Sequence, residues 1–451
     1  MKKNKYEIDM CNGSIMDKLI SFALPLMLSG ILQLMFNAVD LVVVGHFSGQ
    51  EALAAVGSTT ALIAVFTNLF IGISLGANVL AARFYAAGRE KEMSETVHTS
   101  IMLALISGVA MAIVGVIFAK GALQLMDTPD NVIDLSTLYM RIYFMGMPFF
   151  MLYNYGAAIL RAVGDTKRPL LFLIVSGVSN AILNMILVIV FNLGVAGVAI
   201  GTVMSQLMSC VLVLRCLCKT QSSYQLHLDR LAIKGDYVKL IFQVGIPAGI
   251  QSTVINFSNV LLQSSVNSFG ATAMAGYTAA NNLLGFLYVS VNAVTQACMS
   301  FTSQNYGVGK YKRMDRVLLD CLGLTVVVAG VLGGGVYLFG PQILRIYTSE
   351  ADVISCGMEI LSITTIPYFL CGIMDLFPGS LRGMGYSAVP MVLSVIGTVG
   401  TRILWIYGFF PYNRTLFFLF ISYPGSWLIT IVMQVICYLY VRKRCVGVQK
   451  V

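Results

Sequence analysis

Apolar residues fill this chain in long blocks separated by short polar stretches. Crossing the hydrocarbon of a bilayer takes roughly 20 apolar residues. Runs of that length occur near 18–44, 52–78, 97–119, 134–160, 169–191, 195–217, 238–266, 274–301, 317–339, 353–380, 389–410 and 416–441. The pattern predicts an all-α polytopic membrane protein of about twelve transmembrane helices. The gaps between runs are too short to hold a soluble domain.

Composition agrees with the pattern. Of 451 residues, 57% are hydrophobic and 11% charged, where a soluble domain carries about a quarter charged. The cations are unevenly placed. With the spans threaded in order, 24 of the 29 Lys and Arg fall at one set of helix ends. Only Lys120, Arg345 and Arg414 fall at the other, and Arg141 and Arg402 lie inside spans. Cytoplasmic loops hold the excess of Lys and Arg, so both termini and the long loop after span six are expected in the cytoplasm. The net charge of +9 is explained by that rule. A nucleic-acid partner is not expected, because the cations are divided among many short loops instead of forming one patch.

The N-terminal "MKKNKYEIDMCNGSIMDKL" has a basic start but no apolar core or small-residue cleavage site. It is expected to be retained, with the first span directing insertion. Ten scattered cysteines include no CxxC pair and read as reduced apolar fillers. The three histidines have no metal-ligand spacing. GxxxxGK[ST] and HExxH are both missing. The chain is therefore expected to be no enzyme, to need no cofactor and to draw any work from an ion gradient.

The two halves repeat each other. "ALPLML" around Pro25 corresponds to "GIPAGI" around Pro247, and "GQEALAAVG" to "GATAMAGYT". "FYAAGREKE" corresponds to "NYGVGKYKR", and "LRAVGDTKRP" to "LRGMGYSAVP". The offsets cluster at 221–222 residues. Six spans per half make this a parallel repeat, about an axis along the membrane normal, as in several secondary transporters. Two lobes are expected, 1–225 and 226–451, joined through the polar stretch 216–236.

Polar residues inside the spans supply the candidate chemistry. Asp40 follows Gln33 and Asn37 on one stripe of the first helix. An intramembrane carboxylate should face a cavity or a partner. The fifth span carries Ser176, Asn180 and Asn184 at four-residue steps, and the sixth carries Thr202. Together these would surround Asp40 with amide and hydroxyl groups, where it could exchange a proton or hold a hard cation such as Na+. The alternative is amides gluing helices together. In the second half, Asn256, Asn259, Asn292 and Asp375 are candidates for substrate contact or secondary coupling. The alternative for Asp375 is an ion pair with Arg402. Glu359 reads as half-solvated. Small-xxx-small pairs at Gly72/Gly76, Gly197/Gly201, Gly245/Gly249 and Gly379/Gly383 predict close helix packing. Pro25, Pro148, Pro247, Pro367 and Pro378 mark points where spans can bend.

Four stretches carry a resemblance over about residues 15–440. They are "NAVDLVVVGHFSGQEALAAVG", "LRAVGDTKRP", "LRGMGYSAVP" and "GVAGVAIGTVMSQ". In order and spacing the chain resembles the MATE (multidrug and toxic compound extrusion) family, and within it the bacterial DinF-like branch. The resemblance implies a V-shaped pair of six-helix lobes in the bacterial inner membrane. It implies an antiporter that exports bulky, often cationic or aromatic compounds in exchange for H+ or Na+; the chain is expected to act as a monomer. It also implies a coupling site at Asp40, Asn180, Asn184 and Thr202. The branch has an aspartate where this chain has Asn184, which leaves one carboxylate in the set. The acid that the NorM-like branch carries on span seven is missing, and Asp375 is out of register with that branch's span-ten aspartate. A lipid-linked oligosaccharide flippase of the same superfamily is the alternative within transport, disfavoured by the few buried cations. A receptor or scaffold without turnover is the alternative outside it.

Overall fold

A computed structural model describes residues 6–126 and 128–447. Lys2, Lys3, Lys5 and Lys450, counted above among the cytoplasmic cations, lie outside the described residues. All regular structure among the described residues is helical. The helices are α1 (Met16–Phe47), α2 (Gln50–Ala86), α3 (Glu90–Leu125), α4 (Asp130–Met145), α5 (Met147–Ala162), α6 (Lys167–Val190) and α7 (Gly194–Lys219). After a loop they continue as α8 (Gly235–Asn267), α9 (Ala271–Gly307), α10 (Tyr311–Leu338), the short α11 (Gly340–Leu344), α12 (Ala351–Thr365), α13 (Tyr368–Gly383), α14 (Ala388–Tyr412) and α15 (Leu416–Arg444).

Ten of these helices are long and apolar enough to cross a membrane, and α12 with α13 makes an eleventh span bent by 47°. The fourth run of the sequence is interrupted. There α4 and α5, of 16 residues each, meet at Gly146 just before Pro148. Proline cannot donate the helical hydrogen bond and clashes with the preceding turn, so the run breaks. The same residue type, Pro367, stands at the α12–α13 bend.

The outer faces are apolar in the manner of a lipid-embedded bundle. On α3, Ile106, Val109, Ile113 and Ile117 are exposed, and on α15 so are Leu428, Val432, Ile436 and Leu439. These recur at three- and four-residue steps, which places them along one stripe of each helix. In water such stripes would be a liability. In hydrocarbon they are the solvated surface.

By contact the chain forms two compact units. One comprises Ile31–Gly249 with the residues up to Ile8, and the other comprises Asp9–Gly30 with everything from Ile250 onward. The divisions fall inside α1 and α8. In the first unit, α2 and α8 meet backbone to backbone. A Cβ added at Gly72 would lie 2.3 Å from Gly249, and one at Gly245 would lie 2.5 Å from Ile73. In the second unit, Phe22 of α1 packs edge-on to Phe301 of α9 with centroids 5.7 Å apart. A Cβ at Gly30 would lie 2.9 Å from Val289.

The repeat shows in the backbone. Gly49, Gly88 and Gly164 take φ of 87°, 66° and 93°. Gly270, Gly309 and Gly385, each 221 residues later, take 91°, 71° and 92°. Only glycine enters this left-handed region freely, so three interhelical turns are built alike in both copies.

Candidate functional site

Asp40 lies in the second half of α1 and is 9% exposed. Its Oδ1 accepts a hydrogen bond of 2.5 Å from the Asn184 side-chain amide on α6. The same Asn184 Nδ2 lies 3.4 Å from Asn180 Oδ1, one turn earlier. Asn180 Nδ2 in turn donates to Thr202 Oγ1 on α7 at 3.4 Å, and the Thr202 hydroxyl donates to the Val198 carbonyl at 2.9 Å. Three helices thus bring one carboxylate, two amides and one hydroxyl to a single level of the first unit.

The local sequence makes this possible. Asn180 and Asn184 are four residues apart, so they face the same way from α6. Directly after Asn184, α6 widens into a π-helical turn over Ile186–Val190, a local distortion common at functional sites. On α7, Gly201 leaves room for the Asn184 side chain. A Cβ there would stand 2.1 Å from Asn184 Oδ1. That oxygen is buried and has no hydrogen-bond partner among the described residues. No cationic side chain pairs with Asp40 among them either. The cluster therefore offers oxygens from Asp40, Asn180, Asn184 and Thr202, and one of the amide oxygens is unsatisfied.

The remaining sequence candidates are dispersed. Gln33 and Asn37 are exposed on α1 and do not join the Asp40 cluster, and Asn256 is exposed on α8. Ser176 is buried, and its hydroxyl donates to the Leu173 carbonyl at 3.1 Å. Asn259 is half-buried and accepts from Arg402 Nη1 at 2.9 Å. Asn292 accepts from Gln296 one turn on at 2.9 Å. Asp375 makes no ion pair with Arg402 among the described residues; the cation that acts on it is Arg382. Glu359 is exposed, and so is Arg141, whose Nε reaches the Val116 carbonyl at 3.2 Å.

Two tyrosines of α4 escaped the sequence reading. Tyr139 and Tyr143 stack with centroids 6.1 Å apart, near enough to Asp40 for its charge to act on both. Tyrosines in an apolar helix carry no periodic signal that separates them from ordinary filling.

A second polar cluster sits at the α5–α6 turn, in the "LRAVGDTKRP" stretch. Asp165 is fully buried and pairs with Arg168, whose Nε bonds Oδ2 and whose backbone N–H donates to Oδ1 at 3.1 Å. Arg168 Nη2 approaches the Tyr224 hydroxyl at 3.4 Å. Tyr224 and Tyr85 donate to the two carboxylate oxygens of Glu7 at 2.7 and 2.8 Å. Burial pushes the Asp165 carboxyl above the usual carboxylate range, while the Arg168 charge pulls the other way. All its members are tied to one another, which marks a structural knot at the end of the helix bundle. The described residues contain no group of three or more His, Cys, Asp or Glu side chains placed to hold a metal ion.

Comparison with known proteins agrees with this architecture. The probable multidrug resistance protein YoeA of Bacillus subtilis is 29% identical over 433 residues, 94% of this chain and 93% of the relative. The multidrug export protein MepA of Staphylococcus aureus is 21% identical over 391 residues, 86% of each chain. Among solved structures, an outward-facing multidrug resistance MATE family transporter of the MOP superfamily superposes with a TM-score of 0.89 at 20% identity over the whole of both chains. A MATE protein in the straight conformation gives 0.89 at 21% identity, again over both whole chains. The family model described as MatE matches twice in tandem, over residues 25–186 and 247–407, once in each copy of the internal repeat. With both matches together spanning well over half its length, the chain belongs to the MatE family, that of the MATE transporters.

Proposed function

We propose that this chain exports bulky cationic or aromatic compounds across the bacterial plasma membrane in exchange for H+ or Na+, and that Asp40 is the group whose ionic partner changes during the cycle. The observation that carries the proposal is a buried carboxylate held only by neutral groups. An isolated charge is costly inside a membrane protein. Asp40 is met by an amide of Asn184 and by no cationic side chain among the described residues, so a proton or a bound cation must supply the neutralising charge. Asn180, Asn184 and Thr202 complete the site. The unsatisfied Asn184 oxygen adds a donor of the hard-oxygen kind that alkali and alkaline-earth cations favour, which gives the sodium arm its support. The names of the relatives supply the multidrug substrates.

Asp375 and the asparagines Asn256, Asn259 and Asn292, with Gln33 and Asn37, remain the candidates for substrate contact or secondary coupling. The coupling site is complete within one chain, which supports a monomer. The bias of Lys and Arg supports cytoplasmic termini.

The test is ethidium efflux from proteoliposomes under an imposed pH gradient and then an imposed sodium gradient. The wild-type chain is expected to export under one of them, and that gradient names the ion. Asp40→Asn, with an unchanged melting temperature, is expected to lose at least ten-fold in flux. Full flux in Asp40→Asn would make Asp40 structural. Wild-type protein inert under both gradients would overturn the exchange reading.

A further inference from the structure

The second unit contains a buried charge of opposite sign that the exchange reaction does not use. Arg402 on α14 is 3% exposed and stands between two π-helical stretches, Val395–Gly400 and Trp405–Phe409. Its Nη1 donates to Asn259 Oδ1 at 2.9 Å, and its Nε donates to Ser426 Oγ at 3.4 Å. Its guanidinium carbon lies 4.1 Å from the centre of the Tyr423 ring. Nη2 makes no hydrogen bond among the described residues. Every partner is neutral, and Asp375, the nearest sequence candidate for a counter-ion, makes no ion pair with it among those residues. Arginine stays protonated at any accessible pH. A desolvated cation with no counter-ion is a standing cost.

The repeat sharpens the point. Along α1 and α8 the repeat offset is 222, so Asn259 corresponds to Asn37 and Leu262 to Asp40; along α6 and α14 it is 221, as at Pro169 and Pro390, so Arg402 corresponds to Ala181, beside Asn180. Where the first copy has a carboxylate among amides, the second has a guanidinium among neutral groups. We propose that Arg402 is the centre of an anion site in the second unit, taking a small halide or the carboxylate of an aromatic compound. Tyr423 holds the face of the guanidinium by cation–π stacking. Asn259 and Ser426 fix its rotation, and the edge bearing Nη2 remains to meet the anion, the geometry in which arginine recognises carboxylates. A carboxylate-bearing substrate would be read by this site irrespective of which ion drives transport, so the inference does not rest on the exchange reading.

The chain carries its own reporter. Its two tryptophans, Trp405 and Trp427, both lie beside the site. Trp405 is three residues on from Arg402, and the Trp427 ring is 5.7 Å from that of Tyr423. Purified full-length protein in detergent is titrated with sodium chloride and separately with sodium benzoate while tryptophan emission is followed. A saturable change is expected in the wild type and equally in Asp40→Asn. In Arg402→Gln it is expected to vanish or to need at least ten-fold more anion. Arg402→Lys keeps the charge but loses the planar fork. It is expected to shift the benzoate midpoint to weaker binding and serves if the glutamine variant does not fold. Saturation by chloride would identify a halide site, and saturation by benzoate alone would identify a carboxylate subsite for substrate; either supports the proposal. An unsaturable wild-type response to both salts overturns it, as does an unchanged midpoint in Arg402→Gln or an unchanged benzoate midpoint in Arg402→Lys.

Discussion

At the scale of single residues, the candidate site depends on a contact that no side-chain list would suggest. Gly201 has no chemistry of its own, yet a Cβ there would stand 2.1 Å from Asn184 Oδ1. Gly201→Ala is therefore expected to push the amide off Asp40 and to remove a hydrogen bond worth about 1–3 kcal/mol at a buried group. Ethidium flux should fall about ten-fold. Alanine is the better helix former by about 1 kcal/mol, which offsets part of that loss, so the melting temperature should hold or fall slightly. Full flux in this variant would show that the Asn184–Asp40 bond is not needed for turnover. The pairing of Asn180 with Asn184 was legible because helical spacing alone puts them on one face. The stripe Gln33–Asn37–Asp40 was legible as a stripe, but a stripe runs along the helix while the buried cluster occupies one level of it, so the first two residues stay exposed. Asp375 and Arg402 sat on neighbouring predicted spans, and only the rotation of each helix, which sequence does not give, separates a pair from two independent charges.

At the scale of elements, the glycine pairs were the most readable signal. Gly72 and Gly76 of α2 face Gly245 and Gly249 of α8, with added Cβ atoms falling 2.1 to 2.5 Å from the facing helix. Such approach is how helices associate where lipid offers no hydrophobic drive. Gly72→Val is expected to force α2 and α8 apart and to cost about 1–3 kcal/mol, as overpacking does. The readout is a lower melting temperature in detergent, with the conservative Gly72→Ala falling between; a valine variant as stable as the wild type would show that the two helices separate without penalty. The breaks at Gly146–Pro148 and Pro367 were less readable. The prolines were visible, but whether a proline bends a span or divides it depends on what packs around the bend. Gly108 of α3 shows this at the first break, since a Cβ there would lie 2.5 Å from the Pro148 backbone.

At the scale of the whole molecule, the repeat and the charge asymmetry were both open to the sequence, because each sums a weak signal over many positions. The asymmetry makes a definite prediction. Alkaline phosphatase fused in the loop after Lys120 should be active, and a fluorescent protein at the C-terminus should fold and fluoresce, since the first works only outside the cytoplasm and the second inside; the reverse outcome would invert the orientation. The division of the compact units was not legible, because the same apolar α1 pattern serves both of its halves. That division bears on how the protein is made. Residues 9–30 leave the ribosome long before the residues they pack against, Phe301 and Val289 among them, which are synthesised hundreds of residues later. Throughout that interval the nascent chain must hold half of a membrane helix without its final neighbours. A message cut short in its second half would strand that stretch permanently, leaving insertion factors and membrane proteases with a ready mark of an unfinished copy.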